Sequence, residues 1–153
     1  KREYFLVCKM FSLALRSRLC FERLLLNQTI GYSKRVIDED PKESLFAKIL
    51  SGDIKADKVF EDDKCLAFND INPQAPIHIL IIPKQPIGGI SALKEDESSH
   101  VGHLFYVARK VAEDLKIDQS GYRLTINDGS DGQQTVRWLH VHLMGGRQMT
   151  WPP

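Results

Sequence analysis

Trp138-Leu139-His140-Val141-His142-Leu143-Met144-Gly145-Gly146 is the stretch that decides the fold. Side chains alternate across a strand, so Leu139, Val141 and Leu143 face a core while Trp138, His140, His142 and Met144 share the other side. His140 and His142 then stand about 7 Å apart along one face, and imidazoles are costly to bury without partners. Three readings stay open for this pair. The plainest is two half-exposed strand histidines with no task. A metal chelate needs further ligands, and the candidates by type, His78 and Cys65, show no metal-type spacing. The third is nucleophilic catalysis, since a neutral imidazole titrating near ~6.5 attacks and leaves well at neutral pH.

Outward from that stretch, Thr135 to Met144 reads as one long last strand. Asn127 to Gln134 precedes it as a glycine-containing loop, and Tyr122 to Asp128 reads as another strand. Val101, Leu104, Phe105, Ala108, Val111, Ala112 and Leu115 recur at helical spacing, with Lys94, Glu95, Asp96, Arg109, Lys110 and Glu113 on the wet side. Earlier, Ile77 to Ile82 forms a buried strand ended by Pro83, and Lys58–Glu61, Asp62-Asp63 and Cys65–Asp70 read as a hairpin. Asp40-Pro41 supplies a cap and a first-turn proline for a short helix through Leu45, Phe46, Ile49 and Leu50, stopped by Gly52. No internal repeat is present. Runs of strands with two helices against them make an α+β domain with an antiparallel sheet.

The 153-residue chain is 42% hydrophobic and has a net charge of +1, so it buries a core and is not a disordered tail. Three cysteines without regular spacing rule out a disulfide framework. No run reaches the roughly 18 apolar residues of a membrane span. Residues 1–35 carry eight Lys/Arg against two Asp/Glu, and the remainder thirteen against eighteen. The acidic globular part has no basic stripe for nucleic acid, so a nucleotide partner would be a small one. Residues 1–39 form a leader outside the domain, 40–153. Arg16, Arg18 and Arg23 among leucines and serines give it the composition of a mitochondrial transit peptide; the bland alternative is a leader with no destination. Location is then mitochondrial, and otherwise cytoplasmic or nuclear.

Several segments in their joint order resemble the histidine triad superfamily, in the branch of nucleotide-binding proteins that hydrolyse nucleoside phosphoramidates. They are Phe60–Phe68, Asp70-Ile71, Pro73–Pro76, His78 with Ile82-Pro83-Lys84, Asn127–Gly132, Leu139–His142, Gly145–Met149 and Trp151–Pro153. The likeness covers roughly residues 43–153. It implies a five-stranded antiparallel sheet with two helices, pairing as a homodimer with a continuous ten-stranded sheet, the tail around Trp151 reaching the partner's site. It also implies that His140 is the nucleophile that becomes transiently nucleotidylated. His142 and the Thr135 hydroxyl would then face the phosphate and leaving group, and His78 would support the histidine network. Asn127 and the backbone amides near Gln133 and Gln134 would contact phosphate. Asp70 would hold the ribose, and Phe46, Ile49, Phe68 and Ile71 would line the base cleft. The implied ligand is a purine nucleotide such as AMP, with no cofactor and no metal.

One departure matters. The family pattern is His-x-His-x-His, and Trp138 stands where the first histidine is expected, with Arg137 in place of an aromatic residue. An indole has one donor, no acceptor and cannot relay a proton, so His78 is expected to lose a partner and the hydrolase to be impaired. The alternative is a catalytically weak or dead nucleotide-binding dimer that acts by occupancy. His100 and His103 read as helix residues with no catalytic part.

Overall fold

A computed structural model describes residues 40–150; the leader and the tail around Trp151 lie outside the described residues. Helix α1 (Leu45–Ser51) precedes strands β1 (Lys58–Glu61), β2 (Cys65–Asn69) and β3 (Ile77–Pro83). Helix α2 (Ser98–Asp114) follows, then β4 (Tyr122–Thr125) and β5 (Val141–Gly145). The five strands form one antiparallel sheet in the order β1-β2-β3-β5-β4, so the last strand is threaded between β3 and β4.

Strand alternation divides the core into two layers. Cys65, Ala67, Ile79, Ile81, Leu139, Val141 and Leu143 pack on one face against Leu104, Val107, Ala108, Val111 and Ala112 of α2. Leu66, Phe68, Leu80, Ile82 and Trp138 point to the other face, where Phe46 and Ile49 of α1 cover them. Phe105, placed in the α2 stripe by periodicity, is 41% exposed beside Tyr106 at 57%, and Val107 takes the inward position.

The first helix begins later than the Asp40-Pro41 signal suggests. Asp40 caps only a single 3-10 turn, Pro41–Glu43. Ser44 then caps α1 by accepting from the Ala47 amide at 3.3 Å, and its own burial shows that the cap is enclosed. Gly52 ends α1 in the left-handed region, φ 88°.

The last strand is half the expected length. Thr135 to His140 lie outside the ladder, and β5 begins at Val141, opposite Ile81. Pro83 has no N–H to extend the pairing, and its carbonyl instead accepts from the Trp138 indole at 2.9 Å. The Leu139 amide leaves the sheet as well, donating to the Ile87 carbonyl at 2.6 Å. Alternation nevertheless persists through this irregular stretch, with Trp138 in the α1 layer and Leu139 in the α2 layer.

Candidate active site

Three imidazoles meet on the α1 side of the sheet. His78 lies opposite Met144 and His142 opposite Leu80, so the two histidines are diagonal neighbours across β3 and β5. His78 Nε2 and His142 Nδ1 are 2.8 Å apart. His140 follows, its ring 4.9 Å from that of His142 and edge-on to Phe46 at 5.4 Å.

Hydrogen-bond chemistry assigns the tautomers. The Trp138 carbonyl can only accept, and it lies 2.6 Å from His140 Nδ1, so that nitrogen carries the proton. His140 Nε2 is left with its lone pair and no partner among the described residues. The Gln74 amide donates to His78 Nδ1 at 3.1 Å. His78 Nε2 therefore carries a proton, donated to His142 Nδ1, and His142 presents N–H at Nε2. The cluster offers one nucleophilic lone pair and one donor side by side.

All three rings are held neutral. Burial is the main cause for each, depressing His78 and His140 below the ordinary histidine value and taking His142 down to about 4. The neighbouring histidines push His142 further in the same direction, and Asp70 opposes. A folded-state value below the unfolded value of ~6.5 means that the unfolded chain binds more protons in this window. Stability is therefore complete above about pH 6.5 and falls as pH drops toward about 4. Thermal melts across that range are expected to show a progressive decrease in Tm, reduced in His142→Asn; a Tm flat from pH 7 to 4.5 would contradict it.

Asp70 bridges turn and site. One carboxylate oxygen accepts from the Asn72 amide at 2.8 Å, shaping the turn after β2. The other lies 3.5 Å from His78 Nε2. Ile71, placed beside the base by resemblance, is 99% exposed and belongs to neither apolar layer. Phe46, Ile49 and Phe68 are in one layer, with the two phenyl rings edge to face at 5.7 Å.

The glycine loop is built differently from the expected phosphate cradle. The Gln133 and Gln134 amides donate to the Ser130 and Gly129 carbonyls at 3.0 Å, so they are spent on closing the loop and are not free donors. Gln133 takes φ 58°, a left-handed conformation that non-glycine residues seldom adopt. The buried Gln134 side chain donates to the Gly88 and Val136 carbonyls and accepts from the Gly129 amide, pinning the loop to the segment after β3. Asn127 donates through its amide nitrogen to the Gly132 carbonyl. Thr135 is exposed at the end of this loop.

His78 does not lose its partner through Trp138, as its bonds to Gln74 and His142 show. Sequence reasoning assigned no part to Gln74, to the Trp138 carbonyl or to Ser44. Each acts through a backbone group or a local cap within four residues of its target, which the pattern of side-chain types does not display. Two side-chain clusters bring three ligand-type atoms within 4.8 Å of one another: Asp70, His78 and His142, and Asp62, Cys65 and His103. In the first, a cation would displace the His78–His142 bond. In the second, His103 Nε2 lies 2.8 Å from Asp62, and burial pushes the Cys65 thiol up to about 12. That bond ties the β1–β2 turn to α2, which gives His103 a structural task.

Residues 51–149 match the family model described as HIT domain. The protein pkiA of Dictyostelium discoideum is 49% identical over 118 residues, covering 74% of this chain and 91% of the relative. The 14 kDa zinc-binding protein of Zea mays is 50% identical over 122 residues, covering 78% and 92%. Among solved structures, a HIT family hydrolase from Legionella pneumophila aligns with TM-score 0.70 and 50% identity, covering 71% of this chain and 97% of that one. A histidine triad nucleotide-binding protein from Candida albicans aligns with TM-score 0.62 and 30% identity, covering 72% and 84%.

Proposed function

The chain belongs to the HIT domain family, and from that premise we propose that it is a purine nucleoside phosphoramidate hydrolase acting through a nucleotidyl-histidine on His140. The observation that carries this reading is the 2.6 Å bond from His140 Nδ1–H to the Trp138 carbonyl, which leaves Nε2 unprotonated and unpaired.

The chemistry follows in two displacements. An anionic α-phosphate beside His142 favours its cation, so on substrate binding His142 gains a proton at Nδ1, and the His78 Nε2–H is released from that nitrogen to the Asp70 carboxylate 3.5 Å away. Nε2 of His140 attacks the α-phosphorus, the P–N bond breaks, and the proton on His142 Nε2 goes to the departing amine. Water then attacks the phosphorus, neutral His142 takes its proton, and the phosphorus–imidazole bond breaks to release the nucleoside monophosphate and regenerate His140. Splitting the reaction lowers the barrier of each half, and fixed donors supply charge stabilisation where charge develops. In this reading Asp70 holds the ribose hydroxyls, and the edge of the Phe46, Ile49 and Phe68 layer takes the purine. Thr135 supplies a hydroxyl and Asn127 the second N–H of its side-chain amide toward the phosphate. β4 is the terminal strand of the sheet among the described residues, a position that suits pairing with a second copy.

Purified full-length protein is expected to release the amine from adenosine 5′-phosphoramidate. AMP at a hundred times its Kd should stabilise the fold by about 2.7 kcal/mol. The second reading, a nucleotide-binding dimer without turnover, is favoured by the Gln133 and Gln134 amides being occupied. AMP stabilisation with no amine release at high enzyme would establish it and dismiss the hydrolase.

A further inference from the structure

We propose that Trp138 is a positioning residue for His140, and that the indole replaces the family's first histidine as a structural anchor without impairing the nucleophile. The inference rests on the reading of His140 as nucleophile and departs from the impairment expected from sequence. Its ground is the way residues 138 and 139 are fixed. The Trp138 amide donates to Val136 at 2.8 Å and the Leu139 amide to Ile87 at 2.6 Å. The indole reaches past both to the Pro83 carbonyl at 2.9 Å, at the end of β3. Its ring is 3% exposed, wedged in the layer of Phe46, Phe68, Leu80 and Ile82. The peptide between residues 138 and 139 is thus clamped against the segment after β3 from two sides. Its carbonyl, the group that fixes the His140 tautomer, is aimed by that clamp.

An imidazole at position 138 cannot do the same work. It is shorter than an indole, so it would leave part of the apolar layer unfilled. It also has a second nitrogen needing a partner, within a layer built of apolar side chains. The relay that a first histidine would serve is already complete, because His78 is paired with His142 and Gln74. Restoring the family residue in this chain therefore removes an anchor and supplies nothing that the network lacks.

The test compares full-length wild type, Trp138→Phe and Trp138→His. Each is measured for kcat and KM on adenosine 5′-phosphoramidate, for Tm, and for the His140 tautomer by 15N-resolved NMR of the imidazoles. Phenylalanine keeps most of the wedge and loses the N–H. It is expected to lower kcat about three- to tenfold, the range of one hydrogen bond's net worth, with KM within twofold and with tautomer exchange at His140. Trp138→His is expected to melt lower than wild type and not to exceed its kcat. A wild type that gives the Nδ1–H form alone supports the proposal. A Trp138→Phe variant with wild-type kcat and wild-type tautomer would overturn it, as would a Trp138→His variant faster than wild type. If wild type shows no turnover, the hydrolase reading fails by itself. The tautomer comparison still decides the anchor: exchange in Trp138→Phe supports it, and an unchanged Nδ1–H form refutes it.

Discussion

Replacing His140 with alanine is expected to abolish amine release from adenosine 5′-phosphoramidate, by at least about a thousandfold, because the covalent route has no second nucleophile. His142 cannot substitute: its Nδ1 is bonded to His78 and its Nε2 carries a proton. His140 is buried and packs edge-on against Phe46, so alanine also opens a small cavity. The companion variant His140→Gly separates the two effects. Free imidazole should enter the space and restore part of the turnover if the ring's nitrogen is what matters. AMP affinity in both variants should stay within about tenfold of wild type, since the ribose and base contacts remain. Turnover retained in His140→Ala would remove the nucleophile from the account.

The second large effect falls on the fold. Trp138→Ala removes the indole from the layer shared by Phe46, Phe68, Leu80 and Ile82 and leaves the Pro83 carbonyl without its donor. Large-to-small changes of a buried aromatic residue cost about 3–5 kcal/mol. For a domain of this size that corresponds to a decrease in Tm of about 12–20 °C. Thermal denaturation followed by circular dichroism measures it. A decrease of only about 2 °C would mean that the indole is peripheral to the layer, and the two-layer description would need revision.

Much of the architecture is legible in local pattern. The α2 stripe, the β1–β2 hairpin and the alternation through Leu139, Val141 and Leu143 are period signals that depend on a few neighbouring residues. The end of β5 is not such a signal. Whether Thr135–His140 pairs depends on Pro83, more than fifty residues earlier, lacking an N–H and giving its carbonyl to an indole. The same holds within the site. His78 and His142 meet because β3 and β5 pair in one register, and no spacing in the sequence states that register. Phe105 reads as inward by its place in the repeat, yet it lies at the edge of the buried face and Val107 is buried instead. The resemblance implies phosphate contacts for the backbone amides near Gln133 and Gln134. The turn from Gly129 to Gln134 uses them internally. Trp138 is the most instructive residue: its type suggests a lost proton carrier, whereas its surroundings show a filled layer and a satisfied N–H.

The central claim is that a neutral imidazole at position 140 forms a transient bond to phosphorus. Rapid acid-free quenching of the enzyme with excess nucleoside phosphoramidate, followed by proteolysis and mass spectrometry under alkaline conditions, tests it most directly. The account predicts a single AMP adduct on the peptide carrying His140, formed no slower than steady-state turnover and absent in His140→Gly. Turnover proceeding with no adduct on that peptide, or with the adduct on His142 or His78, would contradict it.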